Sequence, residues 1–325
     1  NVIVTFVFAM KSLPEIKIRL SNFKISSLKE MSGFGLQMQV SKLSSFASDK
    51  YDELLLGIFS VLNNVTLFNI GNRIVRFGKF LPLQIITQVA PIAAEFNSKH
   101  ETDKLKDLFV DTTKYLVAIT SPVFIFIFAF SDLIINTWMG PGYETAALII
   151  KILIAGQLIN IALSAPGNSI TPNIGLPKFQ MYEGLIHLTI NITLTYFLIR
   201  YYGVIGAAYG NACATLISSA YVFIVSVKYF GKDFMDLFSK ILIYPILLSL
   251  IIVSMSYLIY YFAILNYGLI IVDNRMKGIL VLLVLIVLSL TVYSFLIYKS
   301  RYLNERDKNM LNKFIIKIFP FYKFN

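Results

Sequence analysis

The sequence predicts an all-α, polytopic membrane protein, and three observations support that prediction. Of the 325 residues, 57% are hydrophobic and only 14% are charged, against about 25% charged in an average soluble protein. Mean hydropathy is +0.70, and apolar runs of about 20 residues recur along the chain, long enough to cross a hydrocarbon core of about 30 Å. Because these runs are continuous and do not alternate with polar residues, they favour membrane helices over a β-barrel.

The apolar runs predict eight membrane helices, separated by turns rich in Pro, Gly, Asn and charged residues. Helix A is unusually polar, and a short turn over residues 48–53 should separate it from helix B. Helix B is too long for one straight crossing and should bend near Pro82, since proline removes a helical hydrogen bond. Small residues over 206–220 suit close packing of helix F. The predicted ranges are A 31–47, B 54–95, C 115–137, D 146–167, E 180–201, F 207–227, G 241–263 and H 279–298.

The segments outside these helices are strongly basic on one side. Residues 1–10 are interpreted as the end of a truncated membrane helix, residues 11–30 as a basic cytoplasmic connector, and residues 299–325 as a basic tail. Of the 29 Lys and Arg residues, 20 fall on the side of the connector and tail, five on the other side and four within helices. This bias predicts a cytoplasmic C-terminus with the tail against anionic lipids. A nucleic-acid partner is disfavoured, because the tail lacks base-stacking organisation and adjoins a membrane helix.

The first half of helix B combines an apolar composition with three cations. Arg73, Arg76 and Lys79 lie in a stretch that has no acidic residue between Asn69 and Ala94. At 100° per residue, its polar residues fall within about 140° of one another. A charge at the bilayer centre costs from about 2.5 to more than 10 kcal/mol, so such residues usually face a bundle interior or a wet cavity. We therefore expect Asn69 and the two arginines to line a cavity for an anionic substrate.

Two residues of helix A, Gln37 and Lys42, are expected to extend the wall of this cavity, and Lys151 of helix D is a further candidate. Other interpretations stay open for each cation. The arginines could pair with an acidic residue outside this chain, and Lys42 or Lys79 could extend to a membrane interface. Lys151 could instead pair with Glu144, two turns away on the same helix.

Metal and thiol chemistry is not indicated. The single cysteine, Cys213, lies in an apolar helix and has no partner for an internal disulfide, and neither histidine belongs to a His/Cys/carboxylate cluster. No catalytic residue, metal or organic cofactor is expected. A coupling ion, H+ or Na+, stays open: Asp132, or Glu183 with His187 four residues later, could titrate near physiological pH. Glu183 and His187 could equally form a structural hydrogen-bonded pair.

Several short motifs follow one another through helices A to F. They are Leu56-Gly57, Asn69-Ile-Gly-Asn-Arg73 ahead of Pro82, Ala90-Pro-Ile-Ala-Ala94 before a charged loop, Trp138-Met-Gly140 with Gly142-Tyr143, Asn173-Ile-Gly175 before Pro177-Lys178, and Tyr202-Gly-Val-Ile-Gly-Ala-Ala208. Each is weak alone, but their order over about residues 31–228 resembles the polysaccharide-export branch of the MATE-like flippase superfamily. That branch includes Wzx-type flippases of O-antigen and capsule repeat units.

The resemblance implies a six-helix lobe over 31–228, the second of two pseudo-symmetric lobes, followed by an additional membrane hairpin over 241–298. It implies a transporter of the bacterial cytoplasmic membrane that moves undecaprenyl-pyrophosphate-linked oligosaccharides by alternating access. A polysaccharide polymerase or assembly complex could be a partner. Arg73 matches a position where the family often has a basic residue, whereas Arg76 and Lys79 depart from its pattern.

Two other functions compete with this interpretation. A membrane polymerase or lipid-linked glycosyltransferase would need a catalytic carboxylate or histidine, and the longest outer segment, 264–278, offers only Asp273. A MATE-type drug or cation antiporter would need intramembrane carboxylates for its cationic cargo, whereas the polar face of helix B carries cations.

Overall fold

The computed structural model describes residues 8, 11, 25–60, 62–231, 241–267 and 275–309. Within these residues every regular element is helical. The predicted helix end at 1–10, most of the connector at 11–30 and the tail beyond residue 309 lie outside the described residues, apart from single positions. The elements are α1 Ile25–Phe59, α2 Leu62–Gly78, α3 Phe80–Ser98, α4 Thr102–Ala129, α5 Ser131–Trp138, α6 Glu144–Leu163, α7 Ala165–Ile170, a 3-10 turn Thr171–Ile174, α8 Lys178–Tyr202, α9 Val204–Phe230, α10 Tyr244–Tyr267 and α11 Arg275–Lys299.

The helices confirm the predicted all-α membrane class. In the described part of the chain, five are long and apolar enough to cross a bilayer: α4, α6, α9, α11 and the span Ile241–Ile264 that contains most of α10. α1 and α8 are as long as these five but more polar. Their polar residues face each other across a shared interface, where the polar groups of one helix form hydrogen bonds with those of the other.

The turn predicted over residues 48–53 does not exist. α1 runs without a break from Ile25 to Phe59 and so also includes residues 25–30, which were predicted to be connector. The helix ends at Phe59, and Ser60 is a bend. The prediction was wrong because the polar run Ser48–Glu53 resembles a loop in isolation, whereas Ser48 and Asp52 are buried against α8 and satisfy their polar groups there.

The predicted bend in helix B lies at Lys79, where the helix is interrupted for one residue between α2 and α3. Pro82 lies in the first turn of α3 and has no N–H to donate to the carbonyl of Gly78. Its ring would also clash with that carbonyl if the helix continued, so α2 ends there. Gly78 packs tightly against α4, where an added Cβ would lie 3.2 Å from Ile127. The break therefore separates two straight pieces that are each fixed by the lobe.

Small residues bring the helix backbones together, as predicted for helix F. An added Cβ on Gly206 of α9 would lie 2.2 Å from the carbonyl oxygen of Leu198 in α8, and one on Gly210 would lie 2.3 Å from Thr195 Oγ1. Gly156 of α6 makes a similar contact with Ala212 of α9. Close backbone approach through glycine is typical of membrane helix pairs.

The main apolar core lies between α2, α4, α6 and α9, and it includes the fully buried side chains of Phe68, Leu116, Ile149 and Ile150. The hairpin α10–α11 packs on the outside of α4. Its contacts there are partly polar: Tyr293 Oη donates to the carbonyl of Ala118 at 2.8 Å. The hairpin is thus attached to the lobe by specific contacts.

The chain after α11 is tied back to the start of α4. Asn304 and Asp307 exchange hydrogen bonds at a new helix start, with N···O distances of 3.0 and 2.9 Å. The Asp307 carboxylate also accepts hydrogen bonds from Lys114 and Tyr115. Burial alone would raise the pKa of Asp307, but these hydrogen bonds hold it below the ordinary value. Tyr302 covers the pair and donates to the carbonyl of Lys114 at 3.0 Å, and its own burial raises its pKa.

Candidate functional site

The polar face predicted on helix B is an exposed surface of α2. Apolar side chains on the other face, including Leu67, Phe68 and Val75, are buried in the lobe. Gly71 lets α2 approach α6 closely, since an added Cβ would meet Ile149 at 2.8 Å. These contacts fix how α2 is rotated. The exposed side carries Asn63, Thr66, Asn69, Arg73 and Arg76.

Arg73 lies over the ring of Trp138, a contact that was not predicted from the sequence. The guanidinium carbon is 6.0 Å from the ring centroid of Trp138, at the end of α5. The side chain of Trp138 is itself exposed. Cations over indole faces are attracted by the ring quadrupole, so Arg73 is positioned while its N–H donors still face outward from the lobe.

Arg76 is also exposed and lies in the last turn of α2. A cation there interacts favourably with the C-terminal end of the helix dipole. Arg76 and Lys79 each make a further interaction within the lobe, so neither is an isolated charge. Their side chains nevertheless add positive charge to the edge of the face that Asn69 and Arg73 occupy.

The two candidate residues on helix A lie on α1. Lys42 is exposed and Gln37 is half-buried. The neighbouring residues Ser41 and Ser44 are buried, because this side of α1 packs against Gly184 of α8. The structure thus places Asn69, Arg73 and Arg76 together on one face of α2, with Lys42 and Gln37 on the adjacent helix. Binding of a substrate by these five residues stays a prediction.

Lys151 does not pair with Glu144. Its Nζ lies 2.6 Å from Asp132 Oδ2 at the start of α5, whereas Glu144 accepts a hydrogen bond from the backbone N–H of Gly142. Asp132 and Lys151 therefore neutralise each other across two helices. Lys151 also borders a shallow apolar groove of about 440 Å³ between α4, α6 and α9.

A buried polar network that the sequence interpretation missed joins α1, α8 and α9. Asp52 is only 1% exposed. Its carboxylate accepts hydrogen bonds from Asn191 Nδ2 at 3.0 Å and from Asn211 Nδ2 at 2.9 Å, with Thr195 Oγ1 at 3.4 Å. The signal for it was the spacing Ser41, Ser48 and Asp52, which places small polar residues and a carboxylate on one helical stripe.

The network continues from Asp52 to a histidine. Asn191 also donates to Ser48 Oγ at 2.9 Å, and Ser48 lies 3.0 Å from Nδ1 of His187. The other ring nitrogen of His187 is 3.2 Å from Thr215 Oγ1 on α9. A carboxylate and an imidazole are thus linked through an amide and a hydroxyl inside the lobe. Such a chain can hold a proton, and its oxygens can bind a small cation.

The pair Glu183 and His187 that the sequence suggested has separate partners. Glu183 accepts hydrogen bonds from Ser164 and Asn168 on the other side of α8. His187 joins the Asp52 network instead. Across the described ranges, no group of three or more His, Cys, Asp or Glu side chains is arranged to hold a metal ion.

The architecture matches solved transporters. Over 91% of this chain and 60% of the other, it superimposes on the lipid II flippase MurJ in an inward closed conformation, with a TM-score of 0.60 and 17% identity. An outward-facing multidrug resistance MATE family transporter matches over 89% of this chain and 68% of that chain, with a TM-score of 0.52 and 19% identity. The chain has the MATE-like fold. The fold expected from the sequence resemblance is therefore confirmed.

Sequence comparisons support the same resemblance. Residues 1–148 match the family described as polysaccharide biosynthesis protein. A protein of Haloferax volcanii named as a probable low-salt glycan biosynthesis flippase is 19% identical over 207 residues, which are 64% of this chain and 44% of that protein. The chain spans less than half the length of the curated relatives it matches. The relative named as a flippase agrees with the resemblance drawn from the sequence.

Proposed function

We propose that this chain is the C-terminal lobe of a flippase that moves undecaprenyl-pyrophosphate-linked oligosaccharide repeat units across the bacterial cytoplasmic membrane. Transport by alternating access would deliver units for O-antigen, capsule or exopolysaccharide. The C-terminus is cytoplasmic in this proposal, and the basic tail lies against anionic lipids. A polysaccharide polymerase could receive the product. The relative named as a flippase and the MurJ-like fold support a transporter over a membrane enzyme.

The observation that carries the proposal is the exposed basic face of α2. A membrane helix with Arg73 and Arg76 on its exposed side would be costly against lipid. The cost falls if that face borders a cavity shared with another lobe, where an anionic headgroup can bind. Guanidinium groups donate to phosphate oxygens in pairs, so the pyrophosphate is the part of the substrate that this face fits. No carboxylate lies in α2, which disfavours a cationic cargo at this face.

We assign coupling to the Asp52 network in the same proposal. A carboxylate inside a membrane lobe is costly unless it is neutralised or fully hydrogen-bonded. Binding of H+ or Na+ at Asp52 would change the charge at the interface of α1, α8 and α9. Because three helices meet there, a change in charge can bias how they pack.

Arginine substitutions test the substrate face. Loss of one desolvated contact to phosphate should cost about 1.5 to 3 kcal/mol, roughly ten- to a hundredfold in binding. Arg73→Ala should therefore abolish surface polysaccharide at normal protein levels, while Arg73→Lys, which keeps the charge but loses the planar fork, should retain part of the export. The readouts are surface polymer and the cytoplasmic-leaflet pool of lipid-linked units.

Arg200→Ala is the matched control. Arg200 is exposed and lies over the Tyr196 ring, with its guanidinium carbon 4.4 Å from the centroid. It therefore resembles Arg73 in exposure and stacking but sits at the end of α8. Export should be normal in this variant. Unchanged export in Arg73→Ala cells, or a loss explained entirely by less protein, would show that Arg73 is structural.

A further inference from the structure

A second carboxylate inside the lobe, the half-buried Glu183, lies at the break between α6 and α7. Leu163 ends α6, and a short helix and a 3-10 turn follow before α8 begins. Glu183 of α8 faces this break and accepts hydrogen bonds from Ser164 Oγ and Asn168 Nδ2. The site is separate from the exposed face of α2, and the hydrogen-bond partners of Glu183 lie outside the Asp52 network.

The surroundings of Glu183 contain buried oxygens that lack hydrogen-bond partners among the described residues. Asn168 uses both hydrogens of its amide, one for Glu183 and one for Ser164, and its oxygen has no donor among the described residues. Thr171 is 0% exposed and Ser226 is 1% exposed, and neither hydroxyl is paired. The four unpaired atoms are Asn168 Oδ1, Thr171 Oγ1, Gln180 Oε1 and Ser226 Oγ.

The chain places these oxygens around the same break. Thr171 follows Asn168 by one turn, and Gln180 precedes Glu183 by three residues on α8. Ser226 of α9 reaches the break from the other side: its Oγ would lie 2.3 Å from a Cβ added to Gly167, the residue before Asn168. Gly167 is thus required for the Ser226 hydroxyl to come this close to the short helix.

A single cation could satisfy these oxygens together. Buried polar atoms without hydrogen bonds are rare in native proteins, and each costs about 1 to 3 kcal/mol. Two of these atoms are amide oxygens, which can only accept, and they lie near a carboxylate, so an anion is excluded. An all-oxygen set of carboxylate, amide and hydroxyl groups suits a hard cation. With one carboxylate, a monovalent cation balances the charge, whereas a divalent one would leave a net charge buried.

We propose that Glu183, with oxygens of Asn168, Thr171, Gln180 and Ser226, forms a binding site for a monovalent cation of the sodium class. The cation holds the break after α6 against α8 and α9. This site goes beyond the transport proposal, because it does not depend on what the α2 face binds.

The test is the sodium dependence of thermal unfolding for the detergent-solubilised protein, with choline replacing sodium at constant ionic strength. All variants carry Asp52→Asn, so that a response of the Asp52 network does not contribute. The parent should be stabilised by sodium, and Glu183→Gln should lose that response. Thr171→Val, which replaces one unpaired hydroxyl by a methyl group, should need at least threefold more sodium for half of the effect. Thr193→Val, at an exposed position of α8, is the control and should match the parent.

Thr171→Val also tests the proposed cation site if Glu183→Gln does not fold. If its hydroxyl binds no cation, the valine removes an unsatisfied polar group and stabilises the protein equally at every sodium concentration. That result would overturn the proposal. An unchanged sodium response in Glu183→Gln would also overturn it, as would stabilisation by low pH in choline with no added effect of sodium. Arg73→Ala should keep the sodium response whatever its export, so the two proposals can fail separately.

Discussion

The buried ion pair between Lys114 and Asp307 permits a quantitative test of how the end of the chain is anchored. Lys114 is 8% exposed and Asp307 is 2% exposed, so either charge would be left in a desolvated site if its partner were removed. We consider Lys114→Met, Asp307→Leu and the double variant. The comparison isolates the pair because the double variant leaves neither charge behind.

The magnitudes follow from what each partner retains. Breaking a buried pair costs typically 3–5 kcal/mol. After Lys114→Met the carboxylate keeps its hydrogen bonds from Tyr115 and the Asn304 backbone, so about 3 kcal/mol is expected. After Asp307→Leu the ammonium keeps the Tyr302 ring, 5.5 Å away, the Tyr115 ring and the nearby charge of Asp111. The double variant should cost about as much as one single variant, so the coupling should equal the cost of the other, about 3–5 kcal/mol.

The assay is reversible unfolding in mixed micelles by titration with SDS, extrapolated to its absence for all four proteins. The exposed pair Lys99 and Glu95, with side chains 57% exposed on both partners, provides the control cycle. Its coupling should be unresolved beside that of the buried pair. Additive effects at Lys114 and Asp307, or single variants as stable as wild type, would refute the reasoning that this pair anchors the segment after α11.

Three further outcomes are expected from the same protein. Gly206→Ala should destabilise the protein by about 1–3 kcal/mol in the SDS titration, because the new Cβ would overlap the neighbouring backbone. Gly57→Ala, which has open space around the Cβ, should be neutral or stabilising by up to about 1 kcal/mol. Equal effects of the two substitutions would contradict the close packing at Gly206. The Asp52→Asn variant should fold but lose ion-driven export. Asp52→Leu leaves buried amide donors unpaired, so its free energy of unfolding should fall by about 1–3 kcal/mol per donor. Normal export by Asp52→Asn in both proton and sodium gradients would show that Asp52 has no coupling role. Because the pKa of Asp307 is lower in the folded state, its ionised carboxylate stabilises the folded protein. This stabilisation is complete above the ordinary aspartate pKa of about 3.9 and is lost as pH falls through the folded-state pKa. Acid titrations of unfolding should therefore show a fall in stability there that Asp307→Asn lacks.

The fold class could be predicted from the sequence because apolar runs report directly on a membrane environment. Local chemistry also located the break near Pro82 and the close packing at Gly206. The turn over 48–53 was wrong for a reason that no local pattern contains. Asp52 is satisfied by Asn191, a residue 139 positions away, and a polar run that finds such a partner remains helical.

In the candidate site too, local sequence patterns predicted which residues share a face but not the contacts between distant residues. The periodicity of α2 indicated which side carries Asn69, Arg73 and Arg76, and the structure exposes that side. It could not indicate that Trp138 lies beside Arg73, or that Lys151 pairs with Asp132 across two helices. Both partners are set by how α5 packs, and α5 is too short to have been recognised apart from helix C.

The glycine contacts between α8 and α9 also restrict where the molecule can deform. With backbone atoms of the two helices in direct contact at Gly206 and Gly210, neither helix can slide or rotate past the other without overlap. The two move as one rigid block. The interruption at Lys79 is also bridged, because the N–H groups of Lys79 and Leu83 still donate to the carbonyls of Val75 and Lys79. Since α2 is packed in the same apolar core as α9, its arginines stay with this block when the lobe moves.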